Sequence, residues 1–488
     1  MSKSNKKFRS LGVNAALNAI KSGLSVIFPL ITYPYAFRIL HAEGMGKINY
    51  ATSIVSYFSM IAALGITTYA VREGAKIRDD RENFTKFSNQ IFTFNLITTI
   101  VAYVLLGLFL AVFDSFQSYS GLIWLLSLSI AFTTLGVEWI NTIYEDYLFI
   151  TIRSIFTHVI SLVLLFVFVR DADDYYWYAG LTVLTNAIIC ITNWVYCRRY
   201  TRLKVVKQLE MGKHIRPIFT LFANSVATSI YVSADTTMLG WFAGDYYVGI
   251  YSIAVKIYNV AKQMLVALYS VTISRISFYI GQGDTESVRK TYTSMLSNIT
   301  LLLLPASVGL ISISREVILF MGGNEYMEAV PTLQILSISL VGAIFGGAVT
   351  YCLNIPLGRE RVNVIATICS AVINIGLNLV LIPIFKQNGA AVTTAISEFF
   401  VFLFCVFSFK EFKNYVDLKL WARNGLQAII GCGLILLISA GVRAVFSNTW
   451  IILILIICLS VLAYGVELLL FKNELVYSIL RKMKIMKK

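Results

Sequence analysis

The sequence predicts an all-α integral membrane protein of about fourteen transmembrane helices: two pseudo-symmetric six-helix lobes plus two C-terminal helices. Three observations predict it. Of 488 residues, 57% are hydrophobic and 14% charged, with a mean hydropathy of +0.73, far from the balance of a soluble domain. Apolar runs of about 20 or more residues, enough to cross a ~30 Å hydrocarbon core, recur from Leu11 to Leu470 with no polar block large enough for a separate domain. Finally, Lys and Arg fall on alternate connections, as they do where one face of the membrane retains basic loops.

In order, the apolar runs place spans at 11–39, 47–71, 87–113, 119–141, 150–169, 175–197, 217–240 and 247–274, then at 291–314, 329–356, 362–385, 389–409, 424–446 and 449–471. The first run is too long for a signal peptide and has no small-residue cleavage site. With the N-terminus inside, cytoplasmic segments hold 32 of the 41 Lys and Arg and outer segments hold five, namely Lys47, Arg170, Arg315, Lys386 and Arg443. Both termini are therefore expected in the cytoplasm, and the net charge of +15 reflects topology rather than nucleic-acid binding. The expected organisation is an N-terminal lobe at 1–200, a basic cytoplasmic linker at 201–216, a C-terminal lobe at 217–411, the last two helices at 412–471 and a basic tail at 472–488, placed along anionic headgroups.

Sliding the chain on itself by 203 residues pairs Gly46 with Gly249, Ala51 with Ala254, Ile54 with Ile257 and Arg72 with Arg275. Polar positions keep the register: Lys21, Ser25 and Thr32 fall on Asn224, Thr228 and Asp235, and Asn49, Ser53 and Ser56 on Ser252, Lys256 and Asn259. Two lobes related by an axis along the membrane normal would follow, a transporter plan with substrate between them.

Residues at i, i+4, i+7 and i+11 share one helix face. Asn14, Asn18, Lys21 and Ser25 do so in the first helix, Asn224, Thr228, Tyr231 and Asp235 in the seventh, and Ser252, Lys256, Asn259 and Gln263 in the eighth. For the Ser and Thr residues, interhelical hydrogen bonding worth ~0.6 kcal/mol per contact explains the pattern. A lysine near mid-bilayer costs ~2.5–3.5 kcal/mol, so Lys21, Lys256 and Lys262 require either a hydrated cavity or an ion pair, while Arg38, near a helix end, serves equally as an interfacial anchor. Asp235, the Thr367, Ser370, Asn374, Asn378 series and the Thr394, Glu398 pair supply hard oxygens suited to a small cation. Glu138 and Glu467 read as structural partners or proton-sensitive bystanders.

Other chemistry is missing from the sequence. Its Gly-Gly pairs at 322–323 and 346–347 lack the lysine of a nucleotide-binding loop, so no ATP hydrolysis is expected. His41, His158 and His214 have no ligand partners at zinc spacing, and the seven cysteines form no disulfide framework. Short outer segments without paired carboxylates argue against an enzyme.

The stretch from Phe28 to Asp80 carries Pro-Leu-Ile-Thr-x-Pro-Tyr, then Arg-x-Leu, a Gly-x-Gly before the second helix and an Arg-Glu closing it. As a set these closely resemble the start of bacterial Wzx-type polysaccharide flippases, members of the multidrug/oligosaccharidyl-lipid/polysaccharide exporter superfamily that also holds the MATE extruders and the MurJ lipid II flippases. GIYSIAVKI at 249–257 extends the resemblance into the second lobe. It implies a MATE/MurJ-like fold in the bacterial cytoplasmic membrane, moving an undecaprenyl-diphosphate-linked oligosaccharide outward for a capsule, O-antigen or similar polymer, beside a polymerase and chain-length machinery. By the same resemblance, Lys21 and Lys256, with Arg38, Lys262, Asn18 and Asn259, would face the diphosphate. Asp235, Asn374 and Thr394 resemble three members of a sodium site of lipid II flippases, where Asn378 replaces a second acid; Na+ or H+ would be the coupling ion, with no other cofactor. Many Wzx-type flippases have twelve spans, so helices 13 and 14 are a departure; in lipid II flippases such an extra pair forms a lipid-tail groove, a role this sequence leaves open. A lipid II flippase and a multidrug/cation antiporter are the alternative readings.

Overall fold

A computed structural model describes residues 11–207, 209–473 and 477. Among them there is no β-strand, as expected where every backbone group must be satisfied within its own segment. Two compact units divide the chain, Met1–Gly240 and Trp241–Lys488. The first contains α1 (Leu11–Ala63), α2 (Ile66–Ile77), α3 (Arg81–Val112), α4 (Ser120–Gly136), α5 (Glu138–Ile143), α6 (Tyr147–Phe168), α7 (Tyr175–Cys197) and most of α8 (Met211–Ala243). The second contains α9 (Asp245–Gly281), α10 (Thr285–Ser312), α11 (Ser314–Gly322), α12 (Ala329–Val349), α13 (Glu360–Phe407), α14 (Phe412–Tyr415), α15 (Leu418–Val445) and α16 (Thr449–Leu470).

Eleven helical stretches among the described residues are long and apolar enough to cross a membrane. Two of these, Ile27–Ile77 and Glu360–Phe407, each contain a non-helical residue, His41 (φ 56°, ψ 177°) and Lys386 (φ 51°, ψ −128°). The predicted boundaries between spans 1 and 2 and between spans 11 and 12 fall at these breaks. Helix α8, which carries predicted span 7, is not among the eleven, so length and composition alone give fewer spans than fourteen. The basic connection before it is shorter than expected, because α8 begins at Met211 rather than at 217. Most of the basic tail lies outside the described residues.

Helix starts follow from local chemistry. Asp80 accepts the amides of Glu82 and Asn83, Asp284 that of Ser287, Asp417 those of Lys419 and Leu420, and Asn448 those of Trp450 and Ile451, satisfying amides that the first helical turn leaves open. The Asn83 backbone and side-chain donors hold the exposed Asp80 carboxyl below its ordinary range. Gly244, 203 residues after His41, has φ 88° and ψ 175°. The register that aligns the polar stripes thus also aligns two turns of nearly the same backbone shape.

In the first unit, α8 packs on the second half of α1 through small and hydroxyl residues. Ser56 Oγ lies 2.9 Å from Ser233 Oγ, Thr237 Oγ1 donates to Ser53 Oγ at 2.9 Å, and Tyr57 meets Thr237 at 3.1 Å. At Gly240 an added Cβ would fall 2.2 Å from the Tyr50 ring. This contact accounts for α8 grouping with the first unit up to Gly240.

In the second unit, α12 and α13 approach closely at Gly342 and Gly346, where a Cβ would meet the backbone of Phe399 at 2.8 Å and of Phe402 at 3.5 Å, a small-xxx-small contact. Helix α10 contains Pro305, which has no N–H to donate to the carbonyl four residues earlier. That carbonyl, on Leu301, accepts the Tyr464 hydroxyl of α16 at 2.7 Å. Tyr464 reaches it past Gly431 of α15, where a Cβ would lie 2.2 Å from the ring. Arg443 of α15 adds a bidentate pair to Glu316, 3.0 Å to each oxygen. The last two helices are therefore integral to this unit.

Candidate functional site

The eighth predicted span presents the clearest site. Along α9, Ser252 is buried, Lys256 half-buried, and Asn259 and Gln263 exposed. Counting ~1.5 Å per residue, Asn259 lies ~21 Å into a helix of 37 residues. Amide side chains at that depth are costly against hydrocarbon and belong on a water-filled face.

A second face of α9 is closed. Lys262 Nζ donates to Glu398 Oε1 of α13 at 2.7 Å, and Tyr258 donates to the same oxygen at 3.3 Å. The Lys262 ammonium also sits 5.4 Å from the Tyr258 ring centroid. Of the two fates open to an intramembrane lysine, the structure gives Lys262 the ion pair. Lys262 is thereby a compensated charge, where the resemblance implied a residue facing the diphosphate. Glu398, at first grouped with Thr394 as a hard-oxygen pair, neutralises that lysine.

The oxygen-rich series on α13 forms a closed ring of hydrogen bonds. Asn378 Nδ2 donates to Asn374 Oδ1 at 3.1 Å, Asn374 Nδ2 to Thr393 Oγ1 at 3.5 Å, and Thr393 to Asn378 Oδ1 at 2.6 Å. All three residues are fully buried, and both amide oxygens already accept protein hydrogens. Thr393, rather than Thr394, completes the ring. Which threonine faces the two amides is set by how the chain turns at Lys386, and spacing within either predicted span does not contain that. Thr394 instead donates to the Ala390 carbonyl and meets the Tyr251 hydroxyl at 3.4 Å. Asp235 is buried in the first unit, close enough to Tyr57 to act on it electrostatically.

Arg38 is exposed, three residues before the His41 break, a position open to either of its two expected roles. The side chains of Asn18 and Lys21 lie outside the described residues. Glu138 is a structural partner, 3.2 Å from the buried Arg153 guanidinium. Arg153 also donates to Asn193 Oδ1, which accepts from Asn141 at 3.0 Å. Neither oxygen of buried Glu467 has a hydrogen-bond partner among the described residues.

The family model described as "Polysaccharide biosynthesis protein" matches residues 11–279, more than half of the chain. The chain belongs to the polysaccharide biosynthesis protein family. A second model, MatE, matches residues 221–380. A putative O-antigen transporter of Escherichia coli is 24% identical over 410 residues, covering 80% of this chain and 94% of the relative. The teichuronic acid biosynthesis protein TuaB of Bacillus subtilis is 23% identical over 260 residues, 51% of this chain and 52% of the relative. Among solved structures, the lipid II flippase MurJ in an inward closed conformation is similar with a TM-score of 0.75 at 16% identity, covering 94% of this chain and 99% of that one. A MATE protein in complex with MaL6 is similar at a TM-score of 0.51 and 15% identity, covering 80% and 93%. The expected MATE/MurJ-like fold is thus the fold of this family member, and the long α9 with its polar face lies largely inside the matched region.

Proposed function

We propose that this polysaccharide biosynthesis family member is a flippase that carries an oligosaccharide on undecaprenyl diphosphate from the cytoplasmic to the outer leaflet of the bacterial cytoplasmic membrane, for assembly into a surface polymer. The names of its relatives, an O-antigen transporter and a teichuronic acid biosynthesis protein, support that substrate class. The observation that carries it is the Lys256, Asn259, Gln263 face of α9: a lysine and two amides in register along one face of a membrane-spanning helix suit an anionic, sugar-bearing passenger rather than a greasy or cationic one. Lys256, Lys21 and Arg38 are the diphosphate-facing residues of this reading, and Asn18 and Asn259 its sugar- or phosphate-facing amides. Asp235 is the residue proposed to take up a coupling Na+ or H+ during the return step. Both termini face the cytoplasm in this reading, and the polymer's polymerase and chain-length machinery receive the product.

Lys21→Ala and Lys256→Ala test the proposal. Each should reduce surface polymer and flipping in proteoliposomes with the protein still present in the membrane, and unchanged polymer in both overturns the diphosphate role. Rescue of a strain depleted of its own lipid II flippase would reassign the passenger to lipid II.

A further inference from the structure

The chain between α7 and α8 is held along α3. Thr201 donates to Thr85 at 3.2 Å, the Lys204 amide to Asn89 Oδ1 at 2.8 Å and the Val206 amide to Thr93 Oγ1 at 3.0 Å. Thr85, Asn89 and Thr93 are successive i, i+4 positions, so the segment follows ~12 Å of one helix face. Held there, Arg202 and Lys204 join Arg198 around a cavity of about 400 Å³ whose remaining lining is Trp194, Cys197 and Leu203.

No acid lines this cavity, and among the described residues none of its three cationic side chains has an ion-pair or hydrogen-bond partner. Neighbouring cations are compensated: Lys86 by Glu210 at 2.6 Å, Arg78 by Glu145 at 2.9 Å, and Arg199 lies over the Tyr196 ring. The depth is informative too. Helix α3 has 32 residues, ~48 Å, against a hydrocarbon core of ~30 Å. Its first turns, including Thr85 and Asn89, therefore stand at the level of lipid phosphates, where Trp194 is also at home.

We propose that this cavity binds the headgroup of an acidic phospholipid, its phosphodiester between Arg198, Arg202 and Lys204 and the start of its acyl chains against Trp194 and Leu203. Three uncompensated cations on an apolar floor at headgroup depth match a lipid with one net negative charge and two tails better than a free soluble phosphate, which has no use for that floor. The site shares no residue with the α9 face, so it stands or falls independently of the transported substrate.

The test uses the full-length purified protein, with short-chain phosphatidylglycerol and phosphatidylethanolamine titrated in detergent and bound lipid counted by native mass spectrometry. The protein should retain one phosphatidylglycerol in preference to phosphatidylethanolamine. Arg198→Gln, Arg202→Gln and Lys204→Gln combined should weaken that binding, by about fivefold per charge removed, while Arg199→Gln leaves it unchanged. Arg202→Gln alone, at an exposed position, gives about fivefold without endangering the fold. Equal retention of the two lipids, unchanged binding in the combined variant, or equal loss in Arg199→Gln each overturns the assignment. Displacement of phosphatidylglycerol by stoichiometric undecaprenyl diphosphate also overturns it, by making the cavity a waiting site for the passenger.

Discussion

Lys262 and Glu398 show what a residue type means once its neighbours are known. A lone lysine in a span reads equally as a passenger's counter-charge or half of an ion pair, and spacing within one helix contains no information about the facing helix. The 2.7 Å contact decides between them. Removing one partner of such a pair strands the other charge at a cost of about 3–5 kcal/mol, whereas replacing both with apolar side chains of similar volume is close to neutral. Glu398→Ala alone should therefore sharply lower the thermal unfolding temperature in detergent, and Lys262→Met with Glu398→Leu should restore most of it. Equal temperatures for the single and double variants would show that the pair carries no such coupling. The same limit explains the Asn374, Asn378, Thr393 ring: its two amides were legible as a stripe, but the threonine that closes it depends on the break at Lys386.

Helices were the most legible level, since apolar runs are local. Their mutual repair was not. Pro305 in α10 announces an orphaned carbonyl on Leu301, yet nothing nearby in the chain supplies a donor; Tyr464, 163 positions away, does so at 2.7 Å. Tyr464→Phe should lower stability by about 1 kcal/mol. With Pro305→Ala, the new Ala amide can bond Leu301, so the same Tyr464→Phe change should cost much less. A thermal double-mutant cycle reads the coupling directly, and additive losses would show that the hydroxyl acts elsewhere. The same geometry explains why the C-terminal pair of helices cannot be regarded as a detachable addition to the second unit.

At the scale of the whole molecule, charge asymmetry and composition gave the membrane class, because both are summed over many positions and tolerate local errors; the 203-residue register is an expectation that the matched turns at His41 and Gly244 agree with. The compact division at Gly240 was hidden, since it depends on Ser53, Ser56 and Tyr57 meeting α8 through space. Function brings in the membrane potential. A diphosphate moving outward with about two negative charges gains ~2.3 kcal/mol per charge at 100 mV. Proteoliposomes with a potential negative on the donor side should flip substrate several-fold faster than depolarised ones, with the reverse polarity slower still; a rate indifferent to potential would mean that the charge is balanced by a co-moving cation.

The matched turns at His41 and Gly244 bear on ancestry. A histidine in a conformation that suits glycine is hard to explain as a fresh invention, but natural as a later replacement in one copy of a duplicated gene whose other copy kept the original residue. On that reading glycine is the residue the turn at position 41 accepts most readily, its φ of 56° lying where a side chain is strained.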